Sequence, residues 1–136
     1  MTDTATATTR ATVDEFYRLL GSGELEGVLD LFAEQVDWNI YGADTVPWAG
    51  RRSTRAEVAE FLTTLPGHLE REEFEVTRLL VDGDDAVALG HMRQKVKRTG
   101  KPFASPFAFH FTVQEGRITR YHTYEDSHAL AEAMSD

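Results

Sequence analysis

The chain has 136 residues, 41% of them hydrophobic, which is enough for the core of one domain. With 23 acidic against 14 basic residues the net charge is -9, which argues against nucleic acid or an anionic membrane as the main partner. There is no cysteine, so disulfides, thiolate nucleophiles and cysteine zinc sites are excluded, and the composition fits a reducing cytoplasm.

The opening "MTDTATATTRAT" is a low-complexity Thr/Ala lead, expected to be frayed over residues 1–11, with the domain itself spanning 12–136. It has no signal-peptide core, and no apolar run reaches the ~20 residues of a membrane span. Val13, Phe16, Tyr17 and Leu20 fall at i, i+3, i+4 and i+7, one apolar helix face that "GSG" terminates. A second helix carries Leu25, Val28, Leu29 and Phe32 on its stripe, with Glu24 and Glu26 near its N-terminus. "VDWNIY" alternates Val36, Trp38 and Ile40 with polar residues, as a short strand does. "GADTVPWAGRR" reads as a loop, with Trp48 anchoring it. Thr54 and Glu57 form a capping box for a third helix with Val58, Phe61, Leu62 and Leu65 inward, ended by Pro66-Gly67.

From about Glu72 to Glu125 the pattern is strand after strand joined by Gly turns, and "DSHALAEAM" closes the chain as a short helix. Helices first and an antiparallel meander after them define an α+β domain. Turn chemistry sets which side chains share a face. "VDGD" suits a two-residue Asp-Gly loop that pairs Val81 with Asp84, placing Val76 opposite Leu89 and Phe74 opposite His91. "KRTGK" and "VQEGR" each suit a three-residue loop with Gly third. A two-residue Glu-Gly loop would need positive φ at Glu115. His91 then lies by Phe109 and Tyr121, Arg93 by Phe107 and Thr123, and Lys95 by Ser105 and Glu125. That register carries the basic side of "AVALGHMRQKV" inward with Leu89 and the phenylalanines, and turns Ala88, Met92, Ala108, His110, His122 and Tyr124 outward.

The stretches "FYRLLGSGELEGVLDLFAEQVDW", "VPWAGRRSTRAEVAEFL" and "FTVQEGRITRYHTYED", with the spacing between them, resemble the nuclear transport factor 2-like superfamily. Within it they are similar to the SnoaL-like and ketosteroid-isomerase-like proteins. The resemblance runs from Val13 to Met134 and implies a cone-shaped, curved antiparallel sheet wrapped around N-terminal helices, an apolar pocket and a homodimer. It also implies several incompatible chemistries. Ketosteroid isomerases use two oxyanion donors, a Tyr and a protonated Asp, with a second Asp as base. Those positions fall on Phe16, Phe109 and Ile40, all apolar. The Arg and Asp positions of limonene-epoxide-hydrolase-like members fall on His91, Arg93 and Thr123, and their Tyr and Asn on Trp38 and Ile40. SnoaL-like cyclases place an acid or base near Thr123 to Glu125.

The sequence thus points to a cofactor-independent enzyme with an apolar, polyketide- or terpenoid-like substrate and acid–base chemistry. The alternative is a non-catalytic ligand-binding protein of the same fold. His91 is expected as the main acid/base, with Tyr121, Arg93 and Glu125 orienting the substrate or supplying charge. Lys95 and Glu125 are expected as an ion pair at the mouth, which would depress the pKa of Glu125. Phe16, Tyr17, Trp38, Ile40, Phe61, Phe74, Leu89, Phe107, Phe109 and Thr123 are expected to line the pocket. No histidine pair has metal-ligand spacing, and no metal is expected.

Overall fold

Two physical signals dominate the sequence, apolar helix stripes followed by alternating strands, and the structure separates them into helices on one face of a single sheet. The computed structural model describes residues 2–136. Helix α1 (Thr2–Gly21) runs through the Thr/Ala lead from Thr2 onward. Tertiary contact accounts for this: Thr9 is fully buried and its hydroxyl donates to the Gly83 carbonyl at 2.7 Å, while the Thr6 hydroxyl accepts from the Gly83 N–H at 3.0 Å.

After Gly23, at φ 76°, comes α2 (Leu25–Asp30). Phe32, expected on that helix, instead opens β1 (Phe32–Ile40), because the Leu31 carbonyl already accepts from Ile118 N–H in the sheet. Part of the expected loop forms an edge strand, β2 (Gly50–Thr54). The capping box precedes α3 (Arg55–Thr64): Thr54 Oγ1 accepts from Glu57 N–H at 3.2 Å, and Glu57 accepts from Ser53 N–H at 3.0 Å. A 3-10 turn (Leu65–Gly67) leads into β3 (Leu69–Asp82), β4 (Asp85–Val96), β5 (Pro102–Gln114) and β6 (Arg117–Glu125). Helix α4 (Ser127–Met134) closes the chain, capped by Asp126, whose carboxylate accepts from Ala129 N–H at 2.9 Å.

The sheet is six-stranded and unclosed, in the order β2-β1-β6-β5-β4-β3. It is not wholly antiparallel, since β1 and β6 run parallel. Among the described residues no helix is long and apolar enough to cross a membrane.

Each hairpin departs from the expected turn, and one departure inverts a strand. The first hairpin turns at Gly83-Asp84 and pairs Asp82 with Asp85, with Gly83 at φ 60°. The last turns at Glu115-Gly116, both with positive φ (53° and 75°), so the unfavoured two-residue loop is the one used. A bulge between Thr112 and Val113 restores parity there, so Phe109 pairs with Thr123 and Phe111 with Tyr121, leaving the faces of β5 and β6 as expected.

Between β4 and β5 the loop is four residues, Lys97 to Gly100, closed by Val96 N–H on the Lys101 carbonyl and Gly100 N–H on the Val96 carbonyl. His91 therefore pairs with Pro106, not with Phe109, and every side chain of β4 changes face. Ala86, Ala88, Met92 and Val96 are buried, whereas His91, Arg93 and Lys95 are exposed. Helix α4 holds the longer loop in place: Thr99 Oγ1 donates to the Ala133 carbonyl, Arg98 pairs with Asp136, and Lys101 reaches the Ser135 carbonyl.

Two bulges in β3 adjust its inward face. One, at Thr77, lets both Val76 and Leu79 pack on the core; the other, at Glu72, leaves Phe74 packed on the core and puts the exposed Arg71 on the same side of the strand, at the cavity's edge. The first also presses the Glu75 carbonyl against Gly90. A Cβ at Gly90 would lie 1.9 Å from the Glu75 oxygen and 2.6 Å from Phe107 Cζ. Gly90→Ala is therefore expected to destabilise the fold by about 1–3 kcal/mol, as overpacking does. Chemical denaturation of the variant checks this, and Gly67→Ala, where a Cβ meets nothing within 4 Å, is the control.

Candidate functional site

The inner face of the sheet is lined by large aromatics because four strands deliver them in phase. Trp38 and Ile40 come from β1, Phe74 from β3, Phe109 from β5, and Tyr121 and Thr123 from β6. Helix α1 adds Phe16, Tyr17 and Leu20, and α3 adds Phe61 and Leu62. Together they enclose a cavity of about 120 Å³, close to the ~150 Å³ that accepts a single benzene ring. An outer cleft of about 430 Å³ adjoins it and shares Leu20, Leu62, Leu65, Leu69, Arg71 and Gln94 with it.

The polar groups of this apolar chamber are few. Trp38 and Thr123 are 2% and 3% exposed, and among the described residues Trp38 Nε1, Thr123 Oγ1 and the buried Tyr17 hydroxyl have no hydrogen-bond partner. A buried polar atom without a partner is costly, so these three invite a ligand's polar atoms. Glu125 lies at the end of β6, where Ser105 Oγ accepts from Asp126 N–H at 2.8 Å and fixes the strand as it turns into α4. Burial, with a smaller contribution from the Asp126 charge, pushes the Glu125 carboxyl up to about 7. Burial also raises the Tyr121 and Tyr17 phenols, so both remain O–H donors at neutral pH.

Of the expected site residues, Glu125, Tyr121, Phe16, Tyr17, Trp38, Ile40, Phe61, Phe74, Phe109 and Thr123 line the cavity. Phe107 is buried behind it, stacked between Phe74 (4.9 Å) and Phe109 (4.2 Å). His91, Arg93 and Leu89 lie on the opposite face of β4, turned there by the four-residue loop. His91 sits in the open between Glu73 (3.2 Å) and Glu75 (3.3 Å), and Arg93 pairs with Glu72 at 3.1 Å. The ligand atoms of Glu73, Glu75 and His91 lie within 4.8 Å of one another, an exposed grouping common without an ion. Lys95 is exposed on that same face, so Glu125 has no such ion pair and its pKa moves up, not down.

Sequence reasoning missed Arg71, Gln94 and Met92, which face inward. Trp48, expected only to anchor its loop, lines the cavity as well, and its carbonyl accepts from Arg52 at 3.0 Å. The outer face instead carries a hydrogen-bonded set around Asp37, which accepts from His122 (2.8 Å), Arg120 (3.0 Å) and Arg51 (3.1 Å). The His122 bond, with Arg120, holds the Asp37 carboxyl below the usual range.

Residues 13–121 match the profile of the SnoaL-like domain, and the chain belongs to that family, within the nuclear transport factor 2-like fold. Among solved structures, a nuclear transport factor 2-like protein from Burkholderia xenovorans is 28% identical, with 96% of this chain and 98% of that one covered and a TM-score of 0.87. TerC, co-crystallised with polyporic acid, is 20% identical over 95% and 99% of the two chains, with a TM-score of 0.81. A candidate SnoaL-like polyketide cyclase from Mesorhizobium loti is 17% identical over 85% and 97%, with a TM-score of 0.71. Among curated proteins none matches.

The raised Glu125 carboxyl has a consequence for stability. The folded protein holds this proton between the ordinary value of 4.5 and about 7, where the unfolded chain has lost it. Stability from this group is full below 4.5 and declines as pH rises through about 7. Glu125→Gln, which cannot ionise, is expected to gain on the wild type in melting temperature as pH rises from about 5 to about 8. Thermal melts across that range check it, and parallel curves would place Glu125 in water.

Proposed function

We propose that this SnoaL-like chain is a cofactor-independent enzyme that moves a proton within an apolar, polyketide- or terpenoid-like substrate. Isomerisation, cyclisation, dehydration and epoxide opening are the reactions in scope. The observation that carries this reading is Glu125, a carboxyl poised near neutral pH in an aromatic cavity where the Tyr17 hydroxyl, Trp38 Nε1 and Thr123 Oγ1 lack partners among the described residues. A general acid–base group works best when its pKa lies near the operating pH. In this scheme the Glu125 carboxylate takes a proton from a carbon beside a substrate carbonyl, and the electron pair moves to the carbonyl oxygen as an enolate. The same carboxyl returns the proton to a second atom as the enolate collapses. Tyr121 and Tyr17, kept protonated by burial, and Trp38 Nε1 are donors suited to the enolate oxygen.

The candidate polyketide cyclase of the same fold fits the reading, as does the neighbour crystallised with polyporic acid. His91 has no part in it. A homodimer through the outer face belongs to the same proposal: Tyr41 and Tyr124, 43% and 47% exposed, stack on each other there at 5.1 Å beside His122.

With a substrate that the wild type turns over, Glu125→Gln is expected to lower kcat by about 10²- to 10⁴-fold. The wild-type profile should bend near pH 7. His91→Ala should leave turnover within about twofold, as surface substitutions do. Retained ligand affinity with no turnover in the wild type would favour the binding-protein alternative. Sedimentation should show a dimer that Tyr124→Glu dissociates, and a wild-type monomer would remove the dimer from the proposal.

A further inference from the structure

Arg71 reaches the cavity only because β3 is irregular. With Phe74 inward, a regular strand would turn Glu72 inward and Arg71 outward. The bulge between Arg71 and Glu73 reverses this: Glu72 goes out to pair with Arg93, and Arg71, opposite Gln94, lines both the cavity and the outer cleft. The irregularity thus exchanges an acid for a base at the edge of an apolar chamber, and bulges are a means of re-aiming a side chain at a site.

The Arg71 guanidinium makes no ion pair among the described residues, although the chain has 23 acidic residues. Its contact is a face, the Phe74 ring at 5.3 Å. Phe74 stacks on Phe107 and Phe107 on Phe109, each pair at 16°, so a ladder of flat rings leads from the cation to the cavity wall. A guanidinium and a carboxamide side by side offer a fork of donors that suits a planar, anionic oxygen pair.

We infer that the ligand of this pocket is an acid, a flat ring system that fills the cavity and presents a carboxylate or an ionised enol to Arg71 and Gln94 where it meets the outer cleft. This rests on the reading of the cavity as a small-molecule site and is independent of Glu125 chemistry, because its test reads affinity and not turnover.

The test is calorimetric titration of the full chain at about pH 6, where Glu125 is mostly protonated, with two pairs of probes. One pair is 2-naphthoate and its neutral isostere 2-naphthamide; the other is 2-hydroxy-1,4-naphthoquinone, which ionises readily, and 1,4-naphthoquinone. The wild type should bind at least one acid about tenfold or more tighter than its neutral partner, as charge-assisted hydrogen bonds allow. The pair that shows the preference distinguishes carboxylate from enolate. Arg71→Met should bring that ratio to about one while the neutral probe keeps its affinity within about twofold, and Arg93→Met on the outer face should leave it intact. A wild-type ratio near one for both pairs overturns the inference without need of a variant. So does equal weakening of acid and neutral probe by Arg71→Met, or no binding of any of the four.

Discussion

The register between β4 and β5 is the constraint on which the chamber depends. A strand has two faces, and a shift of one residue exchanges them entirely. Because Val96 pairs with Lys101 across a four-residue loop, the small residues Ala86, Ala88 and Gly90 face inward, opposite Phe111, Phe109 and Phe107. The small residues leave room for the rings. In the other register, Val87, Leu89 and His91 would occupy that space, and the phenylalanine ladder could not stack. Gly90 shows how tightly the arrangement is filled, since even a methyl group there meets the Glu75 carbonyl.

Two carboxylates on the same sheet show how environment divides roles. Asp37 faces outward among His122, Arg120 and Arg51, and His122, with Arg120, holds its carboxyl down. Glu125 faces inward among rings, and desolvation holds its carboxyl up. The two sit on neighbouring strands of one sheet, and the face each occupies decides whether its carboxyl is held below or above the ordinary range.

Much of the fold was legible in the residues. The helix stripe through Phe16 and Tyr17, the Thr54–Glu57 cap and the inward phenylalanines of β5 all follow from periods of 3.6 and 2 that the structure keeps. Two of the misreadings come from contact between segments distant in sequence. The β4–β5 loop takes its length from bonds to α4, and the Thr/Ala lead gains its helix from the turn at Gly83. Within the site, Glu125 and the aromatic lining were readable from the alternation of β5 and β6. Arg71 was not, because nothing in "LEREEFEV" marks Glu72 as the residue that bulges. His91 was misplaced for the loop's reason alone.

The two turns that bracket β4 are each held by a different end helix. Thr6 and Thr9 of α1 grip the turn before it, and Ala133, Ser135 and Asp136, in and just beyond α4, grip the loop after it. In chain order the residues of the first clamp precede β4, whereas those of the second follow β6. The second clamp thus joins segments separated by two further strands, and long-range contacts of this kind form slowly. The choice of which face of β4 lines the cavity is therefore completed by contacts from a segment that follows β6, next in sequence to Glu125 and Leu130, which line the cavity themselves.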